Sequence, residues 1–358
     1  MKQINLLVDS EDQVGNFKMK KLFEKGNSFL GTKYPILGGA MTWVSESNLV
    51  SAISNAGGLG VLACGSMDTD KLQREILLTK KKTHEPFGVN LILLHPEIDE
   101  LIDCCIINNV HIVVFAGGFP KKSQIEKLKS KNIKTICFAT TIVIARKMIQ
   151  NGIDALILEG NEAGGHIGPV SVNVLVQEIL PHIKEVPIFV AGGIGRGEII
   201  LKFLQLGAAG CQIGTRFVCA NESIAHSKFK NIFIKSEARN AQISVKIDDR
   251  LPVIPVRAIE NSATQNFISE QKKLINLVEK KEISLKDAQL SIEHFWAGSL
   301  KKAVIDGDVE SGSLMAGQSV SLVKKLQSIS EIFNDINDYH ANLIDYEDNP
   351  GLLSRLEG

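Results

Sequence analysis

A chain of 358 residues that is 44% hydrophobic can bury at least one large core, and its 40 Lys and Arg balance its 40 Asp and Glu. That neutrality gives no overall pull toward nucleic acid or an anionic membrane surface, so a small-molecule partner is the expectation. Six cysteines (Cys64, Cys104, Cys105, Cys137, Cys211, Cys219) form no C-x-x-C pair and sit mostly in apolar runs, which argues against a zinc site or disulfide framework and predicts reduced, buried thiols.

In chain order, residues 1–30 read as a polar extension. The apolar run within Met1 to Ser10 is too short for a signal peptide and lacks a small-residue cleavage site. No stretch approaches the ~20 apolar residues of a spanning helix, so the expected location is cytoplasmic. Eight short apolar runs follow: Tyr34 to Gly38, Leu59 to Ala63, Phe87 to Leu93, Ile112 to Ala116, Thr135 to Ala139, Ala155 to Glu159, Ile188 to Ala191 and Gly210 to Ile213. They are nearly continuous in apolar character, as strands covered on both faces are. Between them lie segments with helical spacing, such as Asn48 to Asn55, Asp70 to Lys80, Ile125 to Lys131, Val143 to Gln150 and Glu198 to Leu206. Gly57, Gly152 and Gly207 serve as stops. Eight such units ending in two Gly-rich turns predict an α/β fold, a TIM-like (β/α)₈ barrel over residues 31–228. The pattern then breaks, which predicts a small appended, mostly helical subdomain over 229–310. Residues 311–358 read as a return to the barrel and a helical tail.

Barrel active sites gather at the C-terminal ends of the strands. The first such turn carries Gly39, Ala40 and Met41, small enough to bring backbone amides close to a planar ligand. Strand three carries Asn90, whose amide both donates and accepts. Strand six ends at Glu159, for which ligand contact and strand capping stay equal alternatives. Strand seven ends in Ala191-Gly192-Gly193, and strand eight in Gln212, Gly214 and Thr215, the usual phosphate site of such barrels. A Rossmann reading fails because Gly192-Gly193-Ile194-Gly195-Arg196-Gly197 lacks G-x-G-x-x-G spacing and follows a late strand. An aldolase or isomerase would want a Lys or paired carboxylates inside the barrel, and the eight runs contain no Lys. After strand six, Gly164 and Gly165 precede His166. An imidazole on a glycine-rich turn at the barrel mouth can move a proton near neutral pH, so His166 is the candidate acid or base. His294 is read as packing or lining, His95 as ambiguous, and His84, His111, His182, His226 and His340 as surface or element ends. No histidine pair stands with a carboxylate at metal-ligand spacing, so no metal is expected.

On Glu162-Ala163-Gly164-Gly165-His166, with Asn55-Ala56-Gly57-Gly58-Leu59-Gly60, Pro86-Phe87-Gly88-Val89-Asn90, Ala191-Gly192-Gly193-Ile194 and Gln212-Ile213-Gly214-Thr215-Arg216-Phe217, the chain resembles the nitronate monooxygenase family, which includes the FMN-dependent enoyl-acyl carrier protein reductases of type II. The resemblance spans roughly Tyr34 to Val323. It implies FMN held non-covalently, phosphate on the last two strand turns, and the histidine facing substrate. One branch oxidises alkyl nitronates with oxygen to carbonyl compounds and nitrite. The other uses NADH or NADPH to reduce an enoyl thioester on acyl carrier protein. Gly38-Gly39-Ala40-Met41-Thr42-Trp43-Val44, Pro255-Val256-Arg257-Ala258-Ile259 and the run Gly307 to Gln318 look more like the reductase branch, and Ala40 stands where many relatives carry Gly. Nitronate oxidation needs fewer further parts and is placed narrowly first. A non-catalytic FMN-binding barrel and assembly as a homodimer stay open.

Overall fold

The computed structural model describes residues 20–251 and 253–336; His340 and most of the tail lie outside them. The strands are β1 (Ile36–Gly38), β2 (Gly60–Ala63), β3 (Phe87–Ile92), β4 (Ile112–Ala116), β5 (Lys134–Phe138), β6 (Ala155–Glu159), β7 (Gly165–His166), β8 (Ile188–Ala191), β9 (Gly210–Ile213), β10 (Ala241–Ile243), β11 (Val256–Ile259) and β12 (Leu314–Met315). Helices α2 (Ser47–Asn55), α3 (Thr69–Lys82), α4 (Ile98–Ile107), α5 (Lys122–Lys129), α6 (Ile142–Gln150), α7 (Val172–Ile179) and α8 (Gly197–Gln205) alternate with the strands.

Eight strands form one parallel sheet in the order β1-β9-β8-β6-β5-β4-β3-β2. Its edges meet: Gly38 N donates to Leu59 O and Leu59 N to Ile36 O, both at 2.8 Å. The sheet is thus the TIM-like barrel that the eight runs predict. Within each strand, side chains alternate between the barrel interior and the helical layer. Leu37, Val61, Ile112, Val114, Ile136, Ala155, Ile157 and Phe189 fill the interior, while Leu62, Val113, Phe115, Leu156 and Leu158 pack beneath the helices. Fully burying a side chain of this kind stabilises the fold by roughly 1.5–3 kcal/mol.

Residues 20–30, expected within a polar extension, form helix α1, and its buried Phe23 and Leu30 explain why. Leu30 joins the interior cluster, with Phe29 packed against it. The Phe29 ring lies 5.9 Å from that of Phe189. The barrel's N-terminal end is therefore stoppered by α1. Strand five starts one residue earlier than expected, at Lys134, whose ammonium bonds to Phe29 O at this closed end.

Beyond the barrel, α9 (Thr215–Val218) and α10 (Ser227–Lys235) lead into β10 and β11, then α11 (Ser262–Glu279) and α12 (Leu285–Val304). A second antiparallel sheet runs β10-β11-β12, and β7 from the barrel joins it by pairing with β11. A separate core of Leu251, Val256, Phe267, Leu274, Ile292 and Trp296 sits under it. All six cysteines are free and buried. Burial pushes the thiols of Cys64 and Cys137 up to about 12. Among the described residues, no helix is long and apolar enough to cross a membrane.

Candidate active site

Strand parity decides what the open end of the barrel presents. Ala155 and Ile157 face inward, so Glu159, two residues on, does too; the same count from Gly88 carries Asn90 to the mouth. With Gln212 they turn an apolar barrel interior polar at its C-terminal rim. Gly39, Ala40, Met41, Asn90, Glu159, Gly164, Gly165, His166, Ala191, Gly192, Gly193, Gln212, Gly214 and Thr215 all line one cavity of about 260 Å³. Thr42, Ala163 and Met315, which fall within the quoted motifs and turns but were not expected at the site, line it too, as do Phe138 and Ser319, which no motif pointed to.

One end of this cavity is rich in unused donors. The backbone N–H groups of Gly193, Gly214 and Thr215 have no acceptor among the described residues. Thr215 Oγ1 accepts from Gly317 N at 3.0 Å and so keeps its own proton for another acceptor. Gly192 and Gly193 hold φ of 98° and 70°, where a side chain would be strained. Gly214 differs: its φ is −114°, and an added Cβ would meet nothing nearer than Met41 Sδ at 3.7 Å. Neither backbone nor packing demands glycine there, and the position opens onto the cavity. Converging unpaired N–H groups are suited to an anion.

At the inner wall, Asn90 Nδ2 donates to Val114 O at 3.0 Å. A carbonyl can only accept, so this bond fixes the amide's orientation and leaves Oδ1 to accept from a ligand. Glu159 is half-buried by area, but it faces the cavity rather than bulk water. Desolvation pushes its carboxyl up to about 8, so it is mostly protonated at neutral pH.

The loop from Gly160 to His166 is held from several sides. Gly160 N donates to Ala191 O at 3.0 Å, and the Glu162 carboxylate accepts from Val172 N at the start of α7 at 3.0 Å. Buried Arg257 of β11 donates Nε to Asn161 O at 2.8 Å and Nη1 to Ala241 O at 2.5 Å. Gln318 N reaches Glu162 O at 2.9 Å. Gly164 lies so close to residues 316–317 that a Cβ would come within 2.5 Å of Gly317 N. His166 pairs with Val256 in the second sheet, so the appended unit fixes its backbone. Its Nε2 lies 3.2 Å from Glu293 Oε2 of α12, within ion-pair range but out of line for a hydrogen bond.

A larger chamber of about 550 Å³ adjoins the first cavity and shares Phe138, Glu159, His166 and Met315 with it. Leu94, Phe119, Ile167, Ile254, Leu290 and Trp296 give it an apolar wall, and Thr42, His95, Thr140, Glu293 and His294 are its other polar groups. Leu94 and Phe119 are 43% and 53% exposed, an unusual state for large apolar side chains and one that marks the entrance. His84, His111 and His182 are exposed, and His226 caps α10 by accepting from Lys228 N.

The family model described as nitronate monooxygenase matches residues 24–338. The chain belongs to the nitronate monooxygenase family. This family is one of oxidoreductases, and its model spans both the barrel and the appended unit. A Rhodococcus jostii protein named (3aS,4S,5R,7aS)-5-hydroxy-7a-methyl-1-oxo-octahydro-1H-indene-4-carboxyl-CoA dehydrogenase is 29% identical, over 86% of this chain and 92% of that protein. A probable nitronate monooxygenase of Staphylococcus saprophyticus is also 29% identical, over 79% and 94%. Among solved structures, FabK from Thermotoga maritima aligns with a TM-score of 0.79 and 33% identity, covering 90% of this chain and 97% of that one. Nitroalkane oxidase from Streptomyces ansochromogenes, at 24% identity and a TM-score of 0.72, shares the fold.

Proposed function

We propose that this family member is an FMN-dependent oxidoreductase acting on an unsaturated acyl thioester, with His166 as the proton donor. The observation that carries the reading is the apolar chamber of about 550 Å³ joined to the glycine-rich cavity at His166. A small nitronate would leave most of that volume to water, whereas an acyl chain would bury apolar surface along Leu94, Phe119, Ile254 and Leu290. Similarity to FabK and to a protein named as a carboxyl-CoA dehydrogenase supports the same substrate class.

The residues fit FMN. Gly193, Gly214 and Thr215 would hold the phosphate with N–H groups that have no other acceptor, and Thr215 would add its hydroxyl. Asn90 Oδ1 would accept from the ring's imide edge, and neutral Glu159 would donate without bringing a negative charge against the ring. When bound, FMN supplies hydride chemistry, accepting from a reduced nicotinamide and giving to an electron-poor carbon. His166 lines both cavities, so its ring is placed to deliver a proton to the carbon next to the thioester carbonyl. The chamber's apolar wall orients the chain and keeps water from that carbon.

Nitronate oxidation is the second reading, favoured by the relatives named probable nitronate monooxygenases. An anaerobic visible spectrum separates the two. Bleaching of the flavin band by NADH or NADPH, and its return on adding crotonyl-CoA, is the expected result. Bleaching by propyl-2-nitronate alone would replace the thioester with the nitronate, and protein that cannot be reconstituted with FMN would end both readings.

A further inference from the structure

The turn after β1 holds a strained residue beside the larger chamber. Trp43 has a φ of 68°, in the left-handed region, where a bulky side chain is an outlier that its surroundings must hold. Its half-buried ring reaches α12 and donates Nε1 to Ala297 O at 3.0 Å. That bond accounts for where the ring lies, but not for what lies against it. Lys71 Nζ stands 4.7 Å and Lys301 Nζ 5.4 Å from the ring centroid, both within cation–π range.

The two ammonium groups come from helices far apart in the chain, and neither meets a carboxylate or a hydrogen-bond acceptor among the described residues. Like charges gathered on one ring repel. Lys71 also sits in the first turn of α3, where the helix dipole disfavours a cation. The carboxylates nearby are committed elsewhere. Asp68 Oδ1 caps α3 by accepting from Lys71 N at 2.8 Å, and Glu75 Oε2 accepts from Ser47 N at 2.9 Å. Glu97 Oε2 accepts from Thr69 N at 3.1 Å and Thr69 Oγ1 at 3.0 Å. Asp70 is exposed, and its place next to Lys71 in the helix does not bring the two side chains face to face. The Glu97 bonds also fix the location: they tie the start of α3 to the loop that carries Leu94 at the chamber entrance. Lys301 directly follows Leu300, a residue of the chamber wall.

We propose, on the reading of the substrate as an acyl thioester, that Trp43, Lys71 and Lys301 form an anion subsite at the chamber entrance for the phosphate of the substrate's pantetheine arm. With the acyl chain in the chamber, the arm has to leave through the entrance. Its outer end carries a phosphate in coenzyme A and in acyl carrier protein alike. Two ammonium groups offer several free donors to such an oxyanion, and the indole beneath them limits their access to water. A small nitronate carries its charge at the reacting carbon and has no second anionic group for this rim.

The test uses the FMN-loaded enzyme and two probes, phosphopantetheine and pantetheine, which differ only in the phosphate. The chain has two tryptophans, so the indole N–H signal lost from the NMR spectrum in Trp43→Phe belongs to Trp43. Phosphopantetheine should shift that signal saturably and bind about tenfold or more tighter than pantetheine. The preference should vanish in the double variant Lys71→Gln, Lys301→Gln, survive in Lys71→Arg, Lys301→Arg, and weaken as salt rises. Equal binding of the two probes overturns the subsite, as does a preference that survives the double Gln variant. Inorganic phosphate binding as tightly as phosphopantetheine would make it a site for an adventitious ion only and overturn it too. Turnover then names the source. The crotonyl thioester whose kcat/KM falls about tenfold in the double Gln variant, that of coenzyme A or that of acyl carrier protein, is the one the subsite serves, and a fall for neither overturns its assignment to the substrate. A phosphate preference in an enzyme that turns over no thioester supports the anion subsite while removing the thioester reading.

Discussion

The barrel rim and the appended unit meet at His166, and they solve different problems. The rim is made of strand ends and glycine turns whose spare N–H groups and small residues suit a large, planar, anionic group. The roof is made of β11 and α12, which bring bulk, apolar surface and one carboxylate. The rim's features are local in sequence, each within a few residues of a strand end. Those of the roof are not: Val256 pairs with His166, and Glu293 approaches it from a helix still further along the chain. The contrast predicts that ligand retention at the rim and proton chemistry under the roof separate on mutation.

The largest expected effect lies on the seam. His166→Ala should leave FMN content unchanged while lowering turnover about a hundredfold or more; equal turnover in a stopped-flow comparison would remove the histidine from the reaction. Next comes Glu159, on the rim. Burial pushes its carboxyl up to about 8, well above the ordinary 4.5, so the folded state holds an extra proton between those values. Stability is therefore greatest below pH 4.5 for this group and is lost as pH rises through 8. Flavin-free Glu159→Gln should melt at a higher temperature than the parent at pH 8, with the gap closing toward pH 4.5. A constant gap across pH would assign the difference to packing.

Gly214→Ala is the sharper probe of the cradle than a change at Gly193, whose φ of 70° would add backbone strain. Its methyl meets only Met41 Sδ in the protein, so the flavin-free melting temperature should hold while the FMN dissociation constant rises about tenfold. Full affinity would mean that no ligand group approaches Gly214. The smallest effect belongs to the chamber entrance. Phe119→Ala should raise KM for a long-chain thioester roughly severalfold and leave a four-carbon thioester unchanged, which paired steady-state curves would reveal.

How far these regions could be read in advance follows from the same contrast. The barrel was legible because each strand is a continuous apolar run of its own, and the expected ends at Ile112, Ala116, Ala155, Glu159, Ile188, Ala191, Gly210 and Ile213 coincide with the observed ones. All the residues expected to contact ligand line one cavity, because strand ends converge in any closed barrel. Helix α1 was missed because only scattered apolar residues in a polar stretch, Phe23, Phe29 and Leu30, do its packing. Glu293 was missed for another reason. With one apolar stripe toward its own core and a second toward the chamber, α12 has no single polar face against which an inward carboxylate would stand out. The signal nearest to hand was the run Glu293-His294-Phe295-Trp296, where polar and aromatic residues crowd one turn.

The short return segment carries one more consequence. Gly317 N closes onto Thr215, and Gln318 N onto Glu162, from roughly a hundred and a hundred and fifty residues downstream. During synthesis, all eight barrel strands leave the ribosome well before these two amides exist outside it, by roughly 5–20 s at ordinary elongation rates. A nascent barrel therefore waits with its glycine-rich cradle unlatched until translation has passed residue 318.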